Sequence, residues 1–166
     1  KNYKTSGTIV PSSRFLTKMM LKKIDFHSAN LIVELGPGNG AFTREILAKL
    51  HPKTMLICFE INEAFYNELS LIKHPQLKVI KASAEFLEEE LKKNGFDYAD
   101  YIVSSIPLSI LPKTLSKVIL KESFKVLKQH GSFIQFQYSL FYYEELKSIF
   151  LKQNISLGFE PRNLPP

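Results

Sequence analysis

Leu31-Ile32-Val33-Glu34-Leu35-Gly36-Pro37-Gly38-Asn39-Gly40 is an apolar, partly β-branched run that ends in three alternate glycines. The run reads as a buried strand. The glycines let the backbone turn sharply and approach a ligand with no Cβ in the way. A helical stretch, Ala41 to Leu50, follows at once, with Phe42, Ile46, Leu47 and Leu50 on one face. The next apolar run, Met55 to Glu60, closes on an acid 20 residues after Gly40. An acid so placed can accept hydrogen bonds from ribose hydroxyls. The glycine spacing is not the G-x-G-x-x-G of dinucleotide sites, which disfavours NAD.

The same alternation continues along the chain. Asn62 can cap a helix that spaces Phe65, Leu69 and Ile72 along one side and stops near Pro75. Leu77 to Ile80 reads as a third strand, and Ser83 can cap a helix of Glu85 to Asn94 that ends at Gly95. Tyr101 to Ser104 reads as a fourth strand, ending at Pro107. Lys113 to Gln129 follows as a long helix, with Leu115, Val118, Ile119 and Val126 facing inward. Ser132 to Phe136 is a fifth strand, Glu144 to Gln153 a helix and Ile155 to Phe159 a sixth strand. Strands alternating with helices imply an α/β fold with a mostly parallel sheet. Ligands then bind beyond the carboxyl ends of the strands, near the switch point. The chemistry-bearing residues should therefore follow each strand.

The 166 residues suit one domain. The single cysteine excludes an internal disulfide and disfavours a secreted disulfide scaffold. No apolar run approaches the ~20 residues of a membrane span, and no signal peptide is visible. The net charge of +6 is concentrated at the start. Residues 1–30 carry Lys1, Lys4, Arg14, Lys18, Lys22 and Lys23 against Asp25 alone. We therefore divide the chain into a basic segment with an amphipathic helix, residues 1–30, and a ligand-binding catalytic region, residues 31–166, within one domain.

The glycine-rich segment resembles the first motif of class I S-adenosylmethionine (SAM)-dependent methyltransferases, and the element order agrees along essentially the whole chain. The resemblance implies a Rossmann-like fold, with SAM as cofactor and S-adenosylhomocysteine as product. By it, Gly36, Pro37, Gly38, Asn39 and Gly40 would lie along the methionine part of SAM, and Glu34 would belong to the same cofactor site. Glu60 would hold the ribose, with Ile61 beside the adenine. The turn after the third strand would meet the adenine amine through Ser83, the Ala84 backbone or Glu85, with Ser83 standing where relatives often have Asp. Ser104 ends the fourth strand at the cofactor. Ser105-Ile106-Pro107-Leu108 would face the transferable methyl. In rRNA adenine dimethylases that loop reads Asn-Leu-Pro-Tyr or Asn/Asp-Pro-Pro-aromatic. Here Ser105 takes the Asn position and Leu108 the aromatic one, so a flat base would lose its stacking partner.

Gly7-Thr8-Ile9-Val10-Pro11-Ser12-Ser13-Arg14-Phe15-Leu16, followed by Met20, resembles the opening of bacterial phospholipid N-methyltransferases, a group related to the rRNA adenine dimethylases. Their acceptor loop is of the same small-residue–Leu/Ile–Pro–Leu kind, and their ending resembles Arg162-Asn163-Leu164-Pro165-Pro166, after which a last strand is expected. The resemblance implies N-methylation of a phospholipid amine such as phosphatidylethanolamine. The alternatives are methylation of an rRNA base and SAM binding without transfer.

Ser12 or Ser13 can cap a helix running to about Ile24. Phe15, Leu16, Met19, Met20 and Ile24 share one side, and Arg14, Lys18 and Lys22 another. Residues 12–24 could lie on an anionic membrane surface, or pack on the sheet with a solvated basic face. The first reading implies a cytoplasmic protein held peripherally at the inner membrane face, with nucleic acid a less favoured partner. Lys113, Lys117, Lys121 and Lys125 form a slanted stripe, read as a solvated face, as is Glu88-Glu89-Glu90. His27, His51, His74 and His130 fall in separate loops without metal-ligand spacing, so no metal site is expected. Tyr138, Tyr142 and Tyr143 follow the fifth strand on the ligand side, where one of them lines the acceptor pocket or they serve as core or lid aromatics, and Tyr138 is a candidate general base. Oligomeric state and the number of methyls transferred leave no mark in the sequence.

Overall fold

Among the described residues, five parallel strands form one sheet in the order β3-β2-β1-β4-β5: β1 (Leu31–Leu35), β2 (Met55–Phe59), β3 (Leu77–Ile80), β4 (Ala99–Ser104) and β5 (Leu127–Gln135). The computed structural model describes residues 14–136 and 143–150. The expected sixth strand, Tyr138, Tyr142 and the Arg162–Pro166 ending lie outside the described residues. Helices α1 (Arg14–Leu21), α2 (Ala41–Leu47), α3 (Glu63–Ser70), α4 (Leu87–Lys93), α5 (Lys113–Val126) and α6 (Tyr143–Phe150) complete the fold.

The β1 sequence explains its place at the centre. All five of its residues are buried, because both faces of the sheet are covered. Leu31, Val33 and Leu35 point to one core, with Leu87 and Leu91 of α4 and Ile119 and Val126 of α5. Ile32 points to the other, with Leu16, Met20 and Leu21 of α1 and Phe42 and Ile46 of α2. The apolar side of α1 is thus committed to the protein interior, while Lys18, Lys22 and Lys23 are exposed.

Most elements fall where the hydrophobic pattern puts them, with three differences. Ser83 caps a single 3-10 turn, Ala84–Phe86, before α4 begins. On α5 the buried positions are Ser116, Ile119, Leu120, Ser123 and Val126, and Val118 is exposed. Serine is tolerated in the core here because each hydroxyl has a carbonyl acceptor: Ser116 Oγ donates to Leu108 O at 3.0 Å, and Ser123 Oγ to Ile119 O at 2.8 Å. Finally, α5 stops at Val126 rather than Gln129, because Leu127 already pairs with Ala99. An irregularity between there and Tyr101↔Ser132 takes up the extra residues. It contains His130 at φ 68°. Gly131 follows it, where a Cβ would come within 2.7 Å of the Asp100 carbonyl oxygen.

The chain order reverses between β1 and β4. Helices after β1 and β2 lead outward to β3, and the next crossover returns to β4 on the other side of β1. The carboxyl ends of these two central strands are therefore neighbours, at the place where a doubly wound sheet binds ligands.

Candidate active site

Two loops leave the sheet side by side, residues 36–40 after β1 and 105–108 after β4. Register sets Leu35 opposite Ser104, and Ser105 N–H donates to Leu35 O at 3.0 Å. Gly36 has φ +67°, and a Cβ there would meet Ile106 Cγ1 at 3.0 Å. Gly36 therefore serves two needs, a left-handed backbone and close contact with the second loop. Gly40, at φ +77°, begins α2, where a Cβ would come within 2.7 Å of Leu69 Cδ2. Asn39 Oδ1 accepts from Ala41 N–H at 3.2 Å, which secures the start of α2. Pro37 and Gly38 are buried between these anchors, and Asn39 is exposed.

Glu60 lies just past β2 and is 5% exposed. Its Oε2 accepts from Gly38 N–H at 3.0 Å, and its Oε1 from Asn62 N–H at 2.8 Å. Each oxygen retains lone-pair capacity for a further donor. Asn62 in turn caps α3, accepting from Ala64 and Phe65 N–H. The acid is thus locked between the glycine turn and a helix start. Ile61 beside it is 71% exposed, an apolar side chain offered at the same edge. Across the edge of β3, Ser83 Oγ accepts from Glu85 N–H at 3.4 Å, and Ala84 is buried.

Glu34 sits below the glycine turn, fully buried. Its Oε2 accepts from Thr43 Oγ at 2.7 Å and from Cys58 Sγ at 3.4 Å, while Oε1 has no partner. Burial pushes its carboxyl up to about 7 against the bonds from Thr43 and Cys58. Burial and the Glu34 charge together raise the Cys58 thiol. The sequence marks Glu34 as part of the motif but gives no sign of Thr43 and Cys58 as its partners. These meet it only when α2 and β2 are laid beside β1.

The second loop divides its residues between two tasks. Ser104 is buried, and its Oγ accepts from Ile106 N–H at 3.4 Å. Ser105 Oγ is buried with no partner among the described residues. Pro107 is exposed at the rim. Leu108 is fully buried beside Leu120, with Ile106, Phe133, Leu146, Ile149 and Phe150 packed round the pair. Its side chain anchors the loop between α5 and α6 and presents no surface at the loop's outer side. Gln135, at the end of β5, reaches this loop: its Nε2 donates to Ile106 O at 3.0 Å. Sequence reading missed Gln135, since only the strand register brings it opposite Ser104.

The sites fit the cofactor that the motif implies. Three positive-φ glycines keep the turn after β1 free of side chains at Gly36, Gly38 and Gly40, Glu60 is fixed with acceptor capacity to spare, and Glu34 keeps one buried oxygen unpaired among the described residues. Elsewhere the charged features are spent on the surface. Lys117 pairs with Glu145, and Lys125 with Glu122 and Glu88, whereas Lys92 and Lys93 engage Glu88, Glu89 and Glu90. The rings of His27 and His51, from loops far apart in sequence, approach to 5.4 Å. Among the described residues no three His, Cys, Asp or Glu side chains gather as metal ligands.

Comparison with known proteins agrees with this geometry. The profile of the ribosomal RNA adenine dimethylase family matches residues 11–140. The chain is 29% identical to ornithine lipid N-methyltransferase from Singulisphaera acidiphila, over 96% of this chain and 84% of that protein. It is 33% identical to ribosomal RNA small subunit methyltransferase A from Borreliella burgdorferi, over 63% of this chain and 35% of that protein. The chain thus spans about a third of the ribosomal enzyme's length. Among solved structures, N-methyltransferase NodS from Bradyrhizobium japonicum superposes with a TM-score of 0.59 at 13% identity, over 76% of this chain and 68% of that one.

Proposed function

From the premise that this chain belongs to the ribosomal RNA adenine dimethylase family and is a SAM-dependent methyltransferase, we propose that it N-methylates the amine of a membrane lipid. The observation that carries the reading is the placement of Leu108. Methylating a base calls for a flat partner at the acceptor loop, and here that position holds an aliphatic side chain fully buried against Leu120. A small amine headgroup needs no stacking surface. The likeness to ornithine lipid N-methyltransferase, which extends over 84% of that protein, supports the same assignment.

Bound SAM supplies a methyl made electrophilic by its sulfonium. The protein's task is then to hold an amine in line and keep its lone pair free. Gly36 to Gly40 and Glu60 would hold the cofactor, with Ile61 against the adenine and the Ser83–Glu85 turn at its edge. Ser105 and Ile106 would set the amine opposite the methyl. The headgroup ammonium gives up a proton to water before it can attack. Docking at the membrane falls to the exposed basic face of α1, because its apolar face is used inside the protein.

Tritiated SAM incubated with liposomes of phosphatidylethanolamine or ornithine lipid should yield labelled lipid. Labelled 16S or 23S RNA with unlabelled lipid would replace this reading with base methylation, which the family match and the ribosomal relatives support. Intact SAM binding with no label in either would leave a binding protein only.

A further inference from the structure

Gln135 Nε2 donates two hydrogen bonds, to Ile106 O at 3.0 Å and to Phe136 O at 2.6 Å. These two carbonyls fix which end of the side-chain amide is nitrogen, since an oxygen there would face two other oxygens. Oε1 is thereby committed to the opposite side, where it is buried and has no donor among the described residues. One residue before the carbonyl that Gln135 grips, Ser105 Oγ is buried and equally without a partner. Buried polar atoms are ordinarily satisfied. Here two unsatisfied oxygens sit on adjacent strand ends, β4 and β5, where Ser104 and Gln135 are in register. Gln135 Oε1 calls for a hydrogen-bond donor, and the Ser105 hydroxyl can accept one as well as donate.

We propose that Gln135 is a specificity-determining residue for the methyl acceptor: its Oε1, together with Ser105 Oγ, receives the N–H groups of the attacking amine. This rests on the amine-methylation reading above and adds to it the class of amine preferred. A neutral primary amine has one lone pair to aim at the methyl carbon and two N–H groups for the two oxygens. In the transfer the nitrogen lone pair forms the N–C bond. The C–S bond breaks with its electron pair going to sulfur, and both N–H groups remain in place on the product ammonium. That ammonium then loses a proton to water. A once-methylated amine offers a single N–H, and a twice-methylated one offers none. The site therefore favours a primary amine and loses its grip as methyls accumulate.

The test compares wild type with Gln135→Met, which preserves side-chain length but neither donates nor accepts as an amide. Liposomes would carry phosphatidylethanolamine or its N,N-dimethyl derivative. Each lipid is read by kcat/KM with tritiated SAM, or by Ki where no methyl is transferred. SAM affinity by calorimetry should stay within twofold, and preference for the primary over the dimethylated amine should fall tenfold or more. Equal losses on both lipids, preserving the preference, would mean that Gln135 only supports the Ile106 loop, and would overturn the proposal. Should the Met variant lose SAM affinity, Gln135→Asn repeats the comparison with an amide one carbon too short. Wild type that labels neither of these lipids nor ornithine lipid would instead overturn the amine-methylation reading itself.

Discussion

The carboxylate of Glu60 accepts a hydrogen bond from the backbone N–H of Gly38 at 3.0 Å, across 22 residues of sequence. The residue proposed to hold the ribose therefore also holds the glycine turn proposed to hold the rest of the cofactor. Its other oxygen takes Asn62 N–H, so a single carboxylate joins the ends of β1 and β2 to the start of α3. Such a group organises the pocket before any ligand arrives, which lowers the ordering cost of binding.

Glu60→Ala should weaken SAM binding at least tenfold, about 1.4 kcal/mol. The loss has two sources, the ribose acceptor and the two backbone N–H groups left without theirs. Glu60→Gln keeps acceptor oxygen on one side only and should fall between wild type and Ala. Titration calorimetry on the three proteins decides the matter, and equal affinities would remove Glu60 from the site.

Glu34 predicts a pH signature. Burial pushes its carboxyl up to about 7 in the folded protein, from the ordinary carboxylate range near 4.5. The folded state then binds a proton more tightly than the unfolded chain. Stability from this group is fully present below about 4.5 and is lost as pH rises through about 7. The span is on the order of 3 kcal/mol. Glu34→Gln carries no titrating proton, so the difference in urea midpoint between variant and wild type should shift in the variant's favour from pH 5 to pH 8. A difference that does not change with pH would show that Glu34 is not buried as an acid.

How much of this was readable beforehand depends on the range of the contact. The β1 strand, the glycine turn and Glu60 were legible because each announces itself within a few residues: a β-branched run, alternate glycines, an acid ending a strand. The cap at Asn62 was legible for the same reason. By contrast, Leu108 reads as a loop residue in sequence, and only the packing of α5 against α6 makes it core. Val118 fits a helical stripe as well as Leu120 does, but helix rotation on the sheet selects Ser116, Ile119 and Ser123 instead. Thr43 and Cys58 on Glu34, and Gln135 on Ile106, are contacts between strands and loops distant in the chain. No local period encodes them.

The two site loops are predicted to be energetically coupled through Gly36 and Ile106. Gly36→Ala places a Cβ at φ +67°, 3.0 Å from Ile106 Cγ1. The backbone strain alone costs roughly 1–2 kcal/mol. The steric part should vanish when Ile106→Ala removes the opposing atom. In a double-mutant cycle of urea stabilities, Gly36→Ala should therefore cost at least about 0.5 kcal/mol less in the Ile106→Ala background than in wild type. Additive costs would mean that the loops do not bear on each other.

The basic face of α1 gives the last prediction, because there the charge can be separated from the fold. Leu16, Met20 and Leu21 are buried with β1 and α2, so the helix holds its place through its apolar side. Lys18 on α1 and Lys22 in the turn just past it are exposed, and neither makes an ion pair among the described residues. Reversing them to Glu should leave thermal stability and SAM affinity close to wild type. At an anionic surface each Lys contributes about 1 kcal/mol, so two reversals should reduce binding to vesicles containing anionic lipid at least tenfold. Wild-type binding should also weaken as salt rises, in keeping with a Debye length near 10 Å at 0.1 M. Co-sedimentation at two salt concentrations measures both effects. Reversed protein that still binds vesicles as wild type does would move the membrane contact away from α1.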